Sequence, residues 1–219
     1  MRAARPLLLV GAGGLAREVL AAVRALPGAW APLGALDDNE TRHGSTVDEL
    51  PVLGGSDLVH EHPDAAVVVC VANSARPAGR LAVARKLGLP DERWATVVHP
   101  AASVPAGAAL GPGTVLLAGT VLTTPMRVGA HVLAMPHVLL THDDEIADGV
   151  TFAGRATLAG GVRVGESAYL GQGSMIREGV TIGTEAVVGM GAVVLADVPA
   201  GQVWAGVPAR MLDTKGTAT

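Results

Sequence analysis

Rings, thiols and charge are all scarce in this chain. Only 2% of its 219 residues are aromatic, and Phe152 and Tyr169 are the sole examples of their kinds. A core without rings is built from Val, Leu, Ile and Ala, which suits narrow, uniform layers better than an irregular globule. Cys70 is the one cysteine, so no intrachain disulfide forms and a cytoplasmic location is expected. Charged residues make up 16% against 49% hydrophobic, a balance that excludes a disordered chain. The net charge of −4 lacks the basic excess needed for sequence-independent nucleic-acid binding. No apolar run approaches the roughly 18 residues of a membrane span. The opening MRAARPLLLV is basic and then apolar but leads into GAGG, so it reads as a strand rather than a leader.

What is present falls into two grammars. Up to about residue 95, strand and helix patterns alternate. Pro6 to Val10 is a compact apolar run, and the glycine turn Gly11-Ala12-Gly13-Gly14 follows it. Leu15 to Leu26 then has Leu15, Val19, Leu20 and Val23 at helical spacing. A second strand ends at Leu36, and Ala65 to Val71 reads as a third. Arg76 to Leu87 reads as a helix and Trp94 to Val98 as a short strand. Such alternation predicts an α/β domain, a small Rossmann-like parallel sheet covered by helices.

From Val104 the period becomes six. Sixteen consecutive hexads, VPAGAA, LGPGTV, LLAGTV and onward to VLADVP, carry an apolar residue at the first position without one insertion. Neither an α-helix nor an ordinary hairpin has this period. A parallel β-solenoid does, with three short strands per coil and tight corners between them. Strands stacked about 4.8 Å apart would make a prism about 25 Å long.

These hexads resemble the hexapeptide repeat of the left-handed β-helix acyltransferases, a group that also includes the γ-class carbonic anhydrases. The left hand comes from that resemblance, because six-residue spacing does not set one. In the first half "VGAGGLARE", "ALDDN", "VANSA" and "VVHPAA" follow in order, and "AGVPAR" closes the repeats at 205–210. Together they resemble the sialic-acid O-acetyltransferase type, which includes bacterial nucleotide-sugar N-acetyltransferases. The resemblance implies a nucleotide-sugar-binding domain at 1–98, a left-handed β-helix acetyltransferase domain at 99–212 and a tail at 213–219. It also implies acetyl-CoA as co-substrate and a homotrimer with active sites between subunits.

The implied residues follow position by position. Gly13, Gly14, Leu15, Asp37 and Asp38, with Ala72 on a neighbouring loop, would hold the nucleotide end of the acceptor. Several N-acetylating members have His where Leu15 stands and Gly where Ala72 stands, which leaves the nucleotide open. The glycine turn, with Asp37 26 residues after Gly11, also fits a dinucleotide-binding motif. Against that rival, the half is only about 100 residues long and has no second sheet for the nicotinamide. Thr151, Gln172 and Met190 match the acetyl-CoA positions. Members often carry a second His at the Thr151 position, whereas a Thr hydroxyl donates one hydrogen bond and does not titrate.

The run LTHDDE at 140–145 holds the chemistry. From spacing alone, His142 at the third position of its hexad is equally a hydrophilic corner residue or a reacting group. By resemblance, His142 is the general base and Asp143 its partner. Imidazole takes protons near working pH, and Asp143 would stabilise the imidazolium formed as the acceptor attacks the thioester. Adjacent extended residues point to opposite faces, so this contact requires a corner between them. Gly160, 18 residues on, would leave room for the ring, and a backbone N–H near Gly160-Gly161 would meet the oxyanion. Asp144 occupies a fifth position that otherwise holds Val, Ala, Ser or Thr, apart from Met126. It either faces the acceptor or marks a local bulge of the coil.

No metal is expected. His137 and His142 have the spacing of two γ-carbonic-anhydrase ligands, but position 101 is Ala and His99 is off register. The sequence thus predicts an acetyl-CoA-dependent sugar acetyltransferase. N-acetylation of a nucleotide-linked amino sugar leads and O-acetylation is the alternative, with a metal hydratase and a non-catalytic scaffold behind them.

Overall fold

The computed structural model describes residues 4–212, so the tail assigned to 213–219 lies outside the described residues. The first half is a five-stranded sheet in the order β3-β4-β2-β1-β5. Its strands are β1 (Arg5–Val10), β2 (Trp30–Leu36), β3 (Thr46–Val47), β4 (Leu50–Gly54) and β5 (Ala66–Val69). All pairs are parallel except β3–β4. The short β3 and β4 carry too little alternating apolar pattern to have been expected.

β1 shows why the sheet is buried on both sides. Leu7 and Leu9 face one core and Leu8 and Val10 the other, as period-two alternation requires. The first core takes Ala16, Val19, Leu20 and Val23 of helix α1 (Gly14–Arg24). The second takes Ala84 and Leu87 of helix α2 (Gly79–Leu87). α2 begins later than its apolar pattern suggests, because Pro77 precedes it and lacks the N–H a helix interior needs.

The hexads form a three-faced parallel β-helix of two-residue strands. Register runs in steps of 18, as in Leu133↔Thr151, Leu139↔Thr157 and Glu145↔Arg163. From Leu116 to Val194 every first-position side chain is buried, and Val104 and Leu110 pack at the open end. Fifth-position residues such as Val138, Val150, Ala156 and Val162 fill the rest of the axis. Fourth-position residues turn the corners with positive φ. Several are not glycine, among them His137, Asp143 and Arg155.

The two halves are continuous. β6 (Val97–Val98) pairs with Val115–Leu116 and extends one solenoid face to eight strands. On that face Val115, Leu117 and Leu133 share the core of α1. Arg80 of α2 locks the junction. It is 3% exposed and donates to the carbonyls of Val71, His131, Gly149 and Val150 and to Thr151 Oγ1, at 2.7–3.0 Å. Burial away from any carboxylate pulls its guanidinium down to about 10. It therefore remains charged at neutral pH. Among the described residues no helix is long and apolar enough to cross a membrane.

Candidate active site

The corner between strands Leu139–Leu140 and Glu145–Ile146 carries His142, Asp143 and Asp144. Asp143 stands at φ +62°, a left-handed conformation that Asp tolerates better than most residues. That twist supplies the corner the pair requires. It swings the carboxylate back so that Asp143 Oδ2 lies 2.9 Å from His142 Nδ1. Both side chains are exposed, at 67% and 83%. With Nδ1 on the carboxylate, Nε2 is left to face an acceptor. The ring lies over Gly160, filling the space a Cβ would occupy: such an atom would stand only 2.5 Å from Nε2. Gly161 does not act as expected. Its N–H donates to the His142 carbonyl at 2.9 Å, so it is spent on stacking and is removed from the oxyanion role.

Asp144 resolves differently from its neighbours. It is 5% exposed, and its two oxygens accept the N–H groups of Thr141 at 2.7 Å and Val162 at 2.9 Å. Burial pushes its carboxyl up to about 6, against the pull of those two N–H groups. Its carboxylate thus bonds both its own corner and the next coil. On one side of this corner an open groove of about 820 Å³ runs past Asp143, Asp144 and Glu145 to Arg163 and Thr181.

The other predicted residues are distributed over the chain. Gln172 and Met190 sit on a different edge of the prism, between strands Tyr169–Leu170 and Met175–Ile176 and between Val187–Val188 and Val193–Val194. Met190 is 82% exposed. Gln172 lines a recess of about 720 Å³ with Glu18, His99, His137 and Arg155. Thr151 requires a correction. It is 3% exposed, and its hydroxyl accepts from Arg80 at 2.7 Å, so it holds the domain junction and does not reach a donor groove. A single chain does not bring Gln172 and Met190 to His142.

In the first half, Gly13 and Gly14 stand open, with nothing within 4 Å of where a Cβ would be. They border a recess of about 540 Å³ with Arg17, Arg42 and Thr46. Asp37 is turned inward: its carboxylate accepts from the N–H groups of Ala12 at 2.8 Å and Asn39 at 2.9 Å. Arg42 approaches the same carboxylate at 3.8 Å and donates to the Ala12 carbonyl. Asp38 accepts from Ser56 N–H and Lys86 Nζ, and these contacts hold its carboxyl below the ordinary value, the Ser56 backbone bond most of all. Leu15 is half-buried, with its side chain packed against the core of α1. Ala72 is exposed on the loop after β5. Arg42 was not foreseen, since an arginine after an Asn-capped turn carries no distinguishing spacing.

Cys70 is buried, and the lack of solvation pushes its thiol up to about 12. It stays protonated and is no nucleophile. Among the described residues no three His, Cys, Asp or Glu side chains converge as metal ligands.

Comparison with known proteins places this architecture. Residues 6–84 match the PglD N-terminal domain, and residues 161–196 match the bacterial transferase hexapeptide repeats. No curated protein matches the chain. Among solved structures, it is similar to a His-to-Asn variant of perosamine N-acetyltransferase from Caulobacter crescentus, in complex with CoA and GDP-perosamine. The TM-score is 0.84 at 27% identity, covering 94% of this chain and 96% of that one. The acetyltransferase domain of PglB from Neisseria gonorrhoeae FA1090, in complex with acetyl coenzyme A, gives 0.83 at 27%, covering 95% and 100%. WeeI from Acinetobacter baumannii AYE gives 0.79 at 29%, covering 94% and 99%. The chain thus carries a segment that matches the PglD N-terminal domain, followed by hexapeptide repeats of the bacterial transferase type, and it shares this two-part architecture with these solved acetyltransferases.

Proposed function

We propose that the chain is an acetyl-CoA-dependent acetyltransferase that acetylates the amine of a nucleotide-linked amino sugar. The observation that carries this reading is the His142–Asp143 pair, held at 2.9 Å on an exposed corner with the ring seated over Gly160. His142 Nε2 takes the proton from the acceptor nitrogen as that nitrogen attacks the acetyl carbonyl. Asp143 holds Nδ1 and stabilises the imidazolium. The tetrahedral intermediate then collapses, expels the CoA thiolate and forms the amide. The inert thiol of Cys70 favours this direct transfer over an acetyl-enzyme. Likeness to a perosamine N-acetyltransferase bound to CoA and GDP-perosamine supports the same acceptor class.

The domain division is 1–98 for the acceptor's nucleotide and 99–212 for transfer. Gly13 and Gly14 supply open backbone beside Arg42. Asp37 and Asp38 act mainly by holding that turn and its neighbour, and Ala72 stands on the adjoining loop. Gln172 and Met190 bind the donor from the edge of a neighbouring copy. Their separation from His142 on one chain supports a homotrimer with its sites between subunits. Acetyl-CoA and an unpaired thiol fit a cytoplasmic setting.

The test is thiol release from acetyl-CoA with a panel of nucleotide amino sugars and their hydroxyl counterparts. Turnover is expected with one or more amino sugars, with initial-rate plots that converge. Turnover on hydroxyl acceptors alone would move the assignment to O-acetylation. Parallel plots would point to an acetyl-enzyme.

A further inference from the structure

The strand ladder of the solenoid opens at one corner, and that corner carries His142. In other coils the second-position N–H donates to a first-position carbonyl of the next coil. Examples are Leu117 to Ala134 at 2.9 Å, Met135 to Phe152 at 2.9 Å and Ala159 to Ile176 at 3.0 Å. Thr141 occupies that position, and its N–H turns to Asp144 Oδ2 at 2.7 Å. Pairing of Leu139–Leu140 with the next coil is correspondingly reduced to Leu139↔Thr157. The other oxygen, Asp144 Oδ1, accepts from Val162 N–H at 2.9 Å.

A carboxylate is not needed merely to stack coils. Thr114, at the same hexad position five hexads earlier in the chain, takes the N–H of Val132 with its hydroxyl at 3.1 Å. Purely apolar residues fill most other fifth positions. What only Asp144 provides is a second acceptor that reaches back into its own corner. One oxygen fixes the segment bearing His142. The other fixes the 159–162 corner, where Gly160 receives the ring.

We propose that Asp144 is the positioning residue of the candidate base, its carboxylate setting the corner that carries His142 against the corner that receives it. The inference rests on His142 being that base. Asp144 does not touch an acceptor and acts through the imidazole.

The experiment compares Asp144→Thr, Asp144→Asn and His142→Ala in the full chain, reading steady-state thiol release, acetyl-CoA binding and the imidazole resonances of His142. Asp144→Thr keeps the acceptor for Val162 and loses the one for Thr141. It is expected to lower kcat roughly 10- to 100-fold, as misplacing a reacting group does, with KM for acetyl-CoA unchanged and the His142 resonances shifted. Asp144→Asn, with one carbonyl oxygen left, should fall between that variant and the parent, and it carries the test alone if the Thr variant does not fold. Parent kcat and unshifted resonances in a folded Asp144 variant, while His142→Ala abolishes transfer, would overturn the positioning role only. Full activity in His142→Ala would instead overturn the base assignment and this inference with it.

Discussion

At the scale of single residues, the site mixes one carboxylate that is free to respond and one that is not. Asp143 is exposed and meets the imidazole directly. Asp144 is buried and bonded to backbone. Its carboxyl titrates at about 6, above the ordinary 3.8, so the folded state holds that proton more tightly than the unfolded chain. Protonation therefore favours the fold. The contribution weakens as pH rises from about 4 to about 6 and is constant above that, a cost of about 3 kcal/mol when ionised. Replacing Asp144 with Thr removes this dependence. Thermal melts from pH 4 to 8 should show the Thr variant gaining several degrees on the parent between about pH 4 and about pH 6, and no more above that. Parallel curves would show that the carboxylate does not pay this penalty. A corner residue that lowers stability at working pH is expected where geometry serves chemistry.

At the scale of elements, corners and the α2 junction make separable predictions. Gly160 has no left-handed φ, so alanine fits its backbone, and the three atoms nearest the added methyl all belong to the ring of His142. Gly160→Ala should leave melting nearly unchanged and lower kcat roughly 10- to 100-fold, since the exposed imidazole swings away. An unaltered kcat would show that the seat does not matter. Arg80→Met strands the carbonyls of Val71, His131 and Gly149 and the Thr151 hydroxyl at the junction, while the Val150 carbonyl keeps its bond from Leu133 N–H. Urea unfolding should register a loss of at least roughly 1–3 kcal/mol, the cost of leaving a buried acceptor unpaired, and an unchanged midpoint would mean that the halves hold without this clamp. Legibility differed between these elements for physical reasons. The solenoid was readable because every coil repeats one burial pattern, from Leu116 to Val194. The corner at Asp143 was readable because a His–Asp contact between neighbours demands one. Arg80 was not, since a single arginine in a helix reads as solvated until tertiary packing buries it. Thr151 failed for the same reason: its hydroxyl is turned under α2 by a domain contact that local spacing does not encode. Asp144 lay between these cases, conspicuous as a charge among apolar fifth positions yet open in meaning until its two N–H partners were seen.

At the scale of the molecule, the repeat explains the division of labour. A prism with three edges presents unlike groups on each: His142 and Asp143 on one, Gln172 and Met190 on another. The PglD-type domain is fastened to the third side of the arrangement, the eight-stranded face. Its open glycine turn is thus joined to the solenoid that carries the proposed base, while the proposed donor edge of the same chain lies at another corner. Assembly of copies brings the edges together in the proposed reaction. The most direct test of the account is acetyl transfer by the assembled His142→Ala variant, measured beside the parent on the acceptor that turns over fastest. A drop of roughly 10²–10⁴ in kcat, the worth of a general base, with acetyl-CoA binding intact, is the expected result. Equal rates in the two proteins would contradict it.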